Sequence, residues 1–228
     1  MSKEIICITP PAPFNYYSQI RDYIRRNENI MLSQVNPKQC TKNILQSSDG
    51  VIIAGSSAHV YQKERWQNDL AEQIDDIIKQ RIPILGVCFG HQLLASSLGG
   101  EVQPMEQPEL GFKPVYFRHT DVSRKLFADL PSIATPFEWH WDTVTYLPED
   151  TTVLAYNRDG IQSFASDQYP IYGIQFHPEI NAESAIQIFR NASGDEDLNE
   201  AMTSLTSPRL KSASQLVQIY DNFATYIV

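Results

Sequence analysis

The sequence has few cysteines, and they do not cluster. Its 228 residues include three, Cys7, Cys40 and Cys88, which lie far apart and form no C-x-x-C pair. An odd and scattered set of cysteines predicts neither a disulfide framework nor a structural zinc site. We therefore expect no metal, and no other cofactor is expected either.

Long apolar runs and clusters of basic residues are also missing. No apolar run approaches the ~20 residues that a membrane-spanning helix needs. Residues 1–5 lack a signal-peptide pattern, so we expect a cytoplasmic protein. The net charge is −9 without any cluster of Lys or Arg. Neither nucleic acid nor an anionic membrane is therefore expected as a partner.

The length and the apolar content suit one large globular domain. Hydrophobic residues make up 42% of the chain and charged residues 20%. A chain of this size buries roughly 70% of its unfolded surface, enough for a substantial core. We predict a main domain over residues 1–192 and a C-terminal helical extension over residues 193–228, packed on the same domain. The acidic run at 192–197 is interpreted as a flexible joint between them.

Short apolar strands alternate with helices in the first half of the sequence. Strands are predicted at 4–9, 30–35, 51–54 and 82–87, and helices at 16–26, 41–46 and 66–80. The last of these helices has an apolar stripe, formed by Leu70, Ile74, Ile77 and Ile78. This alternation predicts an α/β fold with a mostly parallel central sheet and helices on both faces. Ligands of such sheets bind at the carboxyl ends of the strands, where Gly55 and Cys88 fall.

The second half is richer in strands. They are predicted at 101–118, 137–140, 152–156, 162–165 and 172–176, and turn residues such as Arg158-Asp159-Gly160 separate them. This pattern predicts an added region of antiparallel hairpins. Helices are predicted again at 182–190 and 213–226.

The stretch Gly86-Val87-Cys88-Phe89-Gly90-His91-Gln92 lies between a predicted strand and a predicted helix. In that context, Gly-x-nucleophile-x-Gly forms a sharp elbow that exposes its central side chain. A Cβ on either glycine would clash in the crowded turn, and the helix N-terminus favours a thiolate. The alternative is a cysteine that simply packs in a tight turn.

A cysteine nucleophile needs a base and a group that orients the base. His177 and Glu179 fulfil this pattern in Gly173-Ile174-Gln175-Phe176-His177-Pro178-Glu179. If the chain stays extended there, the two side chains share a face and Glu179 can accept a hydrogen bond from the imidazole. The alternative is a solvated turn after an edge strand.

These two motifs resemble the signatures of class I glutamine amidotransferase domains. A third segment, Phe137-Glu138-Trp139-His140-Trp141-Asp142-Thr143-Val144, resembles the His-Gly-Asp loop of that family. Together with Glu109-Leu110-Gly111-Phe112, the motifs are similar to the stand-alone branch that looks like the amidotransferase half of GMP synthase. The resemblance runs from about Ile5 to Glu179 and implies a flavodoxin-like architecture.

The resemblance implies hydrolysis of the glutamine side-chain amide to glutamate and ammonia, through a γ-glutamyl thioester on Cys88. His177 would be the acid and base, and Glu179 would orient it. The oxyanion donors would be the backbone amides of Gly55 and Phe89. Residues Gln92, Trp139 and His140 match positions that bind the substrate. A separate synthase subunit is the possible partner, since free ammonia is lost to water.

Two departures from the family pattern leave alternatives open. The oxyanion loop reads Ala54-Gly55-Ser56-Ser57 where many members have Gly-Gly-Pro, and Trp141 replaces a glycine in the third motif. The same triad could therefore hydrolyse γ-glutamyl peptides or conjugates, or the domain could be a non-catalytic regulatory one. The remaining polar residues have expected structural roles: His91 in a hydrogen bond, His140 and Asp142 in shaping their loop, and His59 and His119 at the surface.

Overall fold

The structure is a computed structural model, which describes residues 2–24, 27–192 and 198–228. The first half alternates strands and helices: β1 (Lys3–Ile8), α1 (Tyr16–Ile24), β2 (Ile30–Val35), α2 (Lys42–Gln46), β3 (Gly50–Ile53), α3 (Arg65–Lys79), β4 (Ile84–Val87) and α4 (Phe89–Ser97), with a 3₁₀ turn at Val60–Gln62. Strands β3 and β4 are buried throughout, as their continuous apolar sequence predicts. The predicted alternation is confirmed here.

The second half adds seven strands and four helices within the described ranges. The strands are β5 (Glu101–Phe112), β6 (Val115–Phe117), β7 (Ile133–Ala134), β8 (Phe137–Tyr146), β9 (Thr151–Asn157), β10 (Gly160–Ser166) and β11 (Ile171–Ile174). The helices are α5 (Ala182–Asn191), α6 (Asn199–Thr203), α7 (Ser207–Ala213) and α8 (Gln218–Asn222), followed by a π-helical turn at Phe223–Ile227.

The main sheet has nine strands in the order β2-β1-β3-β4-β11-β10-β9-β6-β7. The first five are parallel, and the last four continue the sheet in antiparallel pairs. Strands β5 and β8 form a separate antiparallel ribbon. The predicted fold class, a mostly parallel sheet with an added antiparallel region, is confirmed.

Two apolar clusters cover the two faces of the sheet. On one face, α3 buries Leu70, Ile74, Ile77 and Ile78, the stripe that the sequence predicts. On the other face, side chains of α1 and α5 pack with buried residues of the C-terminal part of the chain: Leu216, Ile219, Tyr220, Phe223 and Ala224. The C-terminal part therefore completes the core over the parallel half of the sheet.

Some predicted elements differ from those observed. The single strand predicted at 101–118 is two strands, because Pro114 has no N–H for a ladder and the chain turns there. The single helix predicted at 213–226 is interrupted at 214–217 by tighter backbone hydrogen bonds, such as the one from Leu216 N–H to Ala213 O. Helices α6 and α7 were not predicted, since their short polar sequences carry no apolar period.

Two predictions fall partly outside the described residues. The predicted end of the first helix at Arg26 and the acidic joint at 193–197 both lie there. Among the residues that the structure does describe, no helix combines the length and the apolar character needed to cross a membrane.

Candidate active site

Cys88 lies at the turn between β4 and α4. Its φ and ψ angles are 52° and −103°, a conformation that non-glycine residues rarely adopt and one that stores strain at functional sites. A Cβ on Gly86 would lie 2.4 Å from the backbone of Gly90, and a Cβ on Gly90 would lie 2.3 Å from the Ile53 carbonyl oxygen. Both glycines are therefore required by close backbone contacts, and they leave Cys88 at the N-terminus of α4.

His177 and Glu179 follow the end of β11. The His177 Nδ1 atom lies 2.7 Å from Glu179 Oε1, and both side chains are almost fully buried. The backbone differs from the sequence-based expectation, since β11 ends at Ile174 and a short turn, not extended chain, brings the two side chains together. The His177 N–H donates to the Phe137 carbonyl, which fixes the turn against β8.

Cys88 and His177 come together across the carboxyl ends of adjacent strands β4 and β11. Burial by itself lowers the pKa of His177, but the charges of Glu179 and Cys88 and hydrogen bonding with both raise that pKa to about 10. Among the described side chains, the buried Nε2 atom of His177 has no hydrogen-bond partner other than the Cys88 thiol. The imidazole is thus tied to Glu179 at one nitrogen and directed toward the thiol at the other.

The His177 ring packs against Tyr16 of α1 and against Gly55 in the loop after β3. The Tyr16 ring stacks on the imidazole, with ring centroids 4.8 Å apart and planes 13° from parallel. A Cβ on Gly55 would lie only 2.8 Å from His177 Cε1, so a larger residue would displace the imidazole. Phe89, the other predicted oxyanion donor, is the first residue of α4, where a backbone N–H has no partner within the helix.

A cavity of about 270 Å³ opens beside the Cys88 thiol. Its walls come from the loop after β3, from α4 and from β8: Ser56, Ser57, Ala58, His59, Gln92, Trp139, His140, Trp141 and Asp142, with Pro13 and Tyr16. The Cys88 Sγ atom lies 3.9 Å from the carbonyl oxygen of Trp139. Three parts of the chain that the sequence singles out therefore meet at one cavity.

Gln92 and Asp142 are held in place around this cavity. The Gln92 amide nitrogen donates to the Asp142 carbonyl and to Gln175 Oε1, each at 3.1 Å. The carboxylate of Asp142 accepts a hydrogen bond from Tyr61 Oη at 3.1 Å and lies 2.7 Å from His59 Nδ1. The wall of the cavity is thus fixed by polar contacts between the loop after β3 and strand β8.

The side chain of His140 lies in a buried cluster with Glu109 and Glu138. Its Nε2 atom lies 3.1 Å from Glu109 and 3.3 Å from Glu138. Burial alone would lower the pKa of His140, but hydrogen bonds and charges from both carboxyls raise it well above its usual range. Burial and then the charge of Glu109 raise the pKa of Glu138 to about 8.

These three residues could geometrically hold a cation, since their ligand atoms all lie within 4.8 Å of one another. Glu109, however, also accepts hydrogen bonds from Asn157 and Gln162. A protonated His140 already supplies positive charge beside Glu109, and Glu138 keeps its proton at neutral pH, so the cluster is best described as a hydrogen-bonded ion pair of His140 and Glu109 with a neutral Glu138.

Several expectations for the other polar residues need correction or were incomplete. His59 is not a plain surface residue, because it is only partly exposed and lies against Asp142 at the cavity. His140 and Asp142 belong to strand β8 and not to a loop. His91, on α4, is buried against Gly173, and burial lowers its pKa to about 3 despite a backbone hydrogen bond with Gly173, so the imidazole is neutral.

Reasoning from the sequence missed Tyr16, Tyr61 and Tyr220. The Tyr220 hydroxyl donates to Glu179 Oε2 at 2.6 Å. No motif marks these tyrosines, and all three reach the site from distant elements. Only the folded chain brings them there.

The chain matches the family model for glutamine amidotransferase class-I over residues 14–192. It is 32% identical over 164 residues to a protein of Thermoplasma acidophilum that is named as one subunit of a glutamine-hydrolyzing GMP synthase, and the match covers 71% of this chain and 79% of that protein. It is 37% identical over 172 residues to the glutamine-hydrolyzing GMP synthase of Lacticaseibacillus rhamnosus.

The coverage of these relatives is unequal. The match to the L. rhamnosus protein covers 73% of this chain but 32% of the relative, and other relatives of this kind are matched over 27% of their length. The fold is similar to the crystal structure of a glutamine amidotransferase from Methylobacillus flagellatus, with a TM-score of 0.79 and 20% identity, over 98% of this chain and 93% of that one.

Proposed function

The chain belongs to the class I glutamine amidotransferase family, and on that premise we propose that it hydrolyses the side-chain amide of glutamine to glutamate and ammonia. The observation that carries the proposal is the position of His177, which is tied to Glu179 through Nδ1 and lies against Cys88 beside an open cavity. Nucleophile, base and orienting carboxylate are the parts that acyl transfer through a thioester needs.

In the proposed reaction, the Cys88 sulfur attacks the side-chain carbonyl carbon of glutamine. The resulting oxyanion accepts hydrogen bonds from the backbone amides of Phe89 and Gly55, and a well-placed donor of this kind contributes about 3 kcal/mol. His177 gives a proton to the departing ammonia, leaving a γ-glutamyl thioester. It then takes a proton from a water molecule that attacks the thioester, which releases glutamate, frees the Cys88 sulfur as a thiolate and leaves His177 protonated, as at the start.

The protonation of His177 supports this order of steps. A pKa near 10 keeps the imidazole protonated at neutral pH, ready to act first as an acid toward the leaving nitrogen. Glutamine would occupy the cavity with its amide at Cys88. Gln92 and the main chain around Trp139 and His140 would contact its amino-acid end, as their place in the cavity wall allows.

We propose further that the ammonia passes to a separate synthase subunit. This chain matches about a quarter to a third of the length of several relatives named as glutamine-hydrolyzing GMP synthases, but most of the length of one relative that is named as a subunit. The relative that is named as a subunit is the observation that supports a separate partner. The three free cysteines suit a reducing, cytoplasmic setting, where the Cys88 thiol would stay active.

Trp141 favours a second candidate function, hydrolysis of γ-glutamyl peptides or conjugates. Its indole lines the cavity at Cys88 and also a neighbouring cavity of about 710 Å³. A leaving amine larger than ammonia could pack against that ring, and the chemistry at Cys88 would be unchanged. A non-catalytic regulatory role remains the third alternative.

Turnover assays separate these functions. Purified protein incubated with glutamine should release glutamate and ammonia, and Cys88→Ala should abolish the release. Cys40→Ala is the matched control, since this buried thiol lies in the cluster on the other face of the sheet and should leave turnover unchanged. Turnover of γ-glutamyl dipeptides without turnover of glutamine would favour the second function. Equal turnover by Cys88→Ala and the wild type would refute both.

A further inference from the structure

The third residue of the triad is held by a side chain from the far end of the chain. Glu179 has two carboxylate oxygens, and each accepts one short hydrogen bond within the described structure. Oε1 lies 2.7 Å from His177 Nδ1, and Oε2 accepts from Tyr220 Oη at 2.6 Å. Glu179 and Tyr220 are both 0% exposed, so water does not reach either group.

Several contacts fix Tyr220 in the core. It lies in α8, between the buried side chains of Ile219 and Phe223. The Asn222 amide donates to the carbonyls of Leu126 and Ala128, at 3.0 Å each. The phenol is therefore anchored by its own helix and cannot swing away without disturbing the core.

The end of the chain is anchored as well. Lys3 Nζ donates to the Val228 carbonyl at 2.7 Å, and a Cβ on Gly50 would meet the Val228 side chain at 2.5 Å. Residues 214–228, which we call the C-terminal segment, are thus attached to β1 and β3 of the parallel sheet. The family match ends at residue 192, so this segment lies outside it.

Few groups besides the Tyr220 phenol hold the Glu179 carboxylate within the described structure. The titratable groups that face its carboxylate are His177, Tyr220, the Cys7 thiol on β1 and the Tyr16 phenol on α1. The pKa of Cys7 is raised by burial and by the charge of Glu179, so this thiol stays neutral. A buried carboxylate that lost the phenol would keep His177 as its remaining short contact and would be free to turn away from it.

We propose that Tyr220 is a positioning residue of the active site, whose hydroxyl holds the Glu179 carboxylate in the orientation that His177 requires. The proposal rests on the proposed function, since it assigns a role within the same triad. It makes the C-terminal segment a part of the catalytic unit. The segment therefore does more than cover the sheet.

The test is Tyr220→Phe, which removes one oxygen atom and keeps the ring in the core. With the phenol gone, the Glu179 carboxylate loses the contact that orients it, and a displaced carboxylate raises the pKa of His177 less. The His177 pKa, followed by NMR with ¹⁵N-labelled histidine, should therefore fall. Loss of a hydrogen bond to a charged group predicts a fall in kcat of about tenfold to a hundredfold, with KM little changed.

Two control variants separate positioning from general loosening of the fold. Tyr226→Phe removes the same hydroxyl from an exposed residue of the same segment and should leave both the pKa and kcat unchanged. Phe223→Leu weakens the packing of the segment but keeps the Tyr220 hydroxyl, so the pKa of His177 should stay at its wild-type value. An unshifted pKa in Tyr220→Phe, or an equal shift in Phe223→Leu, would overturn the proposal.

A double-mutant cycle gives a second test that does not depend on turnover. If the two groups interact, the losses in unfolding free energy for Tyr220→Phe and Glu179→Gln should be non-additive, whereas additive losses would overturn the proposal. Absence of any γ-glutamyl turnover by the wild type would contradict the proposed function instead. The NMR titration and the cycle would still decide whether Tyr220 acts on Glu179 and His177.

Discussion

At the scale of residues, the site is built from two buried histidine–carboxyl groups with different orientations. His177 lies against Cys88 and is tied to Glu179, whereas His140, on β8, lies between Glu109 and Glu138. In both groups burial alone would lower the pKa of the histidine, and the carboxyls outweigh burial. The same two residue types thus form one group next to the Cys88 thiol and one between strands β5 and β8.

The first prediction concerns the source of the raised His177 pKa. Glu179→Gln removes the negative charge beside the imidazole, so the pKa of His177 should fall below its wild-type value near 10. An NMR titration of His177 measures this directly. Glu183→Gln, an exposed acid on α5, is the control and should leave the titration unchanged. A wild-type pKa in Glu179→Gln would contradict the account of the triad.

The second prediction concerns stability and Glu138. In the unfolded chain this carboxyl loses its proton near pH 4.5, whereas in the folded protein it keeps the proton up to about pH 8. Between these values the folded state binds more protons, so the free energy of unfolding falls as the pH rises. Glutamine does not ionise, so in Glu138→Gln the free energy of unfolding should fall less between pH 5 and pH 8. Urea denaturation at several pH values measures this. The exposed variant Glu101→Gln should keep the wild-type slope, and an equal slope in Glu138→Gln would be inconsistent with this explanation.

At the scale of elements, the elbow was predictable because its cause is local. Only a few consecutive residues determine both the crowding at Gly86 and Gly90 and the change from strand to helix. The long ribbon was less predictable. Strand β8 was predicted to end at His140 but continues to Tyr146. Polar residues such as Asp142 break the apolar pattern, and their partners, His59 and Tyr61, are far away in sequence.

The third prediction tests the packing of the elbow. A Cβ in Gly90→Ala would meet the carbonyl of Ile53 at 2.3 Å and push α4 away from β3. We expect a loss of roughly 1–3 kcal/mol in unfolding free energy and slower reaction of Cys88, because the thiol moves with the helix. Ser96→Ala, at an exposed position of the same helix, should have little effect. Wild-type stability in Gly90→Ala, measured by denaturant unfolding, would rule out the close contact.

At the scale of the whole molecule, the site depends on both ends of the chain. The parallel half of the sheet follows from apolar runs and their spacing, so the fold class could be predicted. The triad residues could be proposed from two short motifs. The link from Tyr220 to Glu179 could not, because 41 residues separate them and only the packing of α8 against the sheet brings them together.

The fourth prediction follows from this shared core. We propose that residues 1–192 and the C-terminal extension fold as one cooperative unit, since Leu216, Ile219 and Phe223 complete the same apolar cluster as Ile5 and Cys7. Thermal unfolding followed by circular dichroism and by tryptophan fluorescence should give one coincident transition. Phe223→Ala should lower that single transition, by about 3–5 kcal/mol in unfolding free energy. An earlier, separate transition of the extension would show that it is not part of the unit.

The proposed hydrolysis requires a reactive thiol at Cys88 that a glutamine-like molecule can reach. The most direct measurement is intact-protein and peptide mass spectrometry after incubation with 6-diazo-5-oxo-norleucine, a glutamine-like electrophile. We predict one adduct per chain, located on Cys88, with glutamine slowing its formation and Cys88→Ala abolishing it. Adducts spread over Cys7 and Cys40, or no adduct at Cys88, would contradict the account.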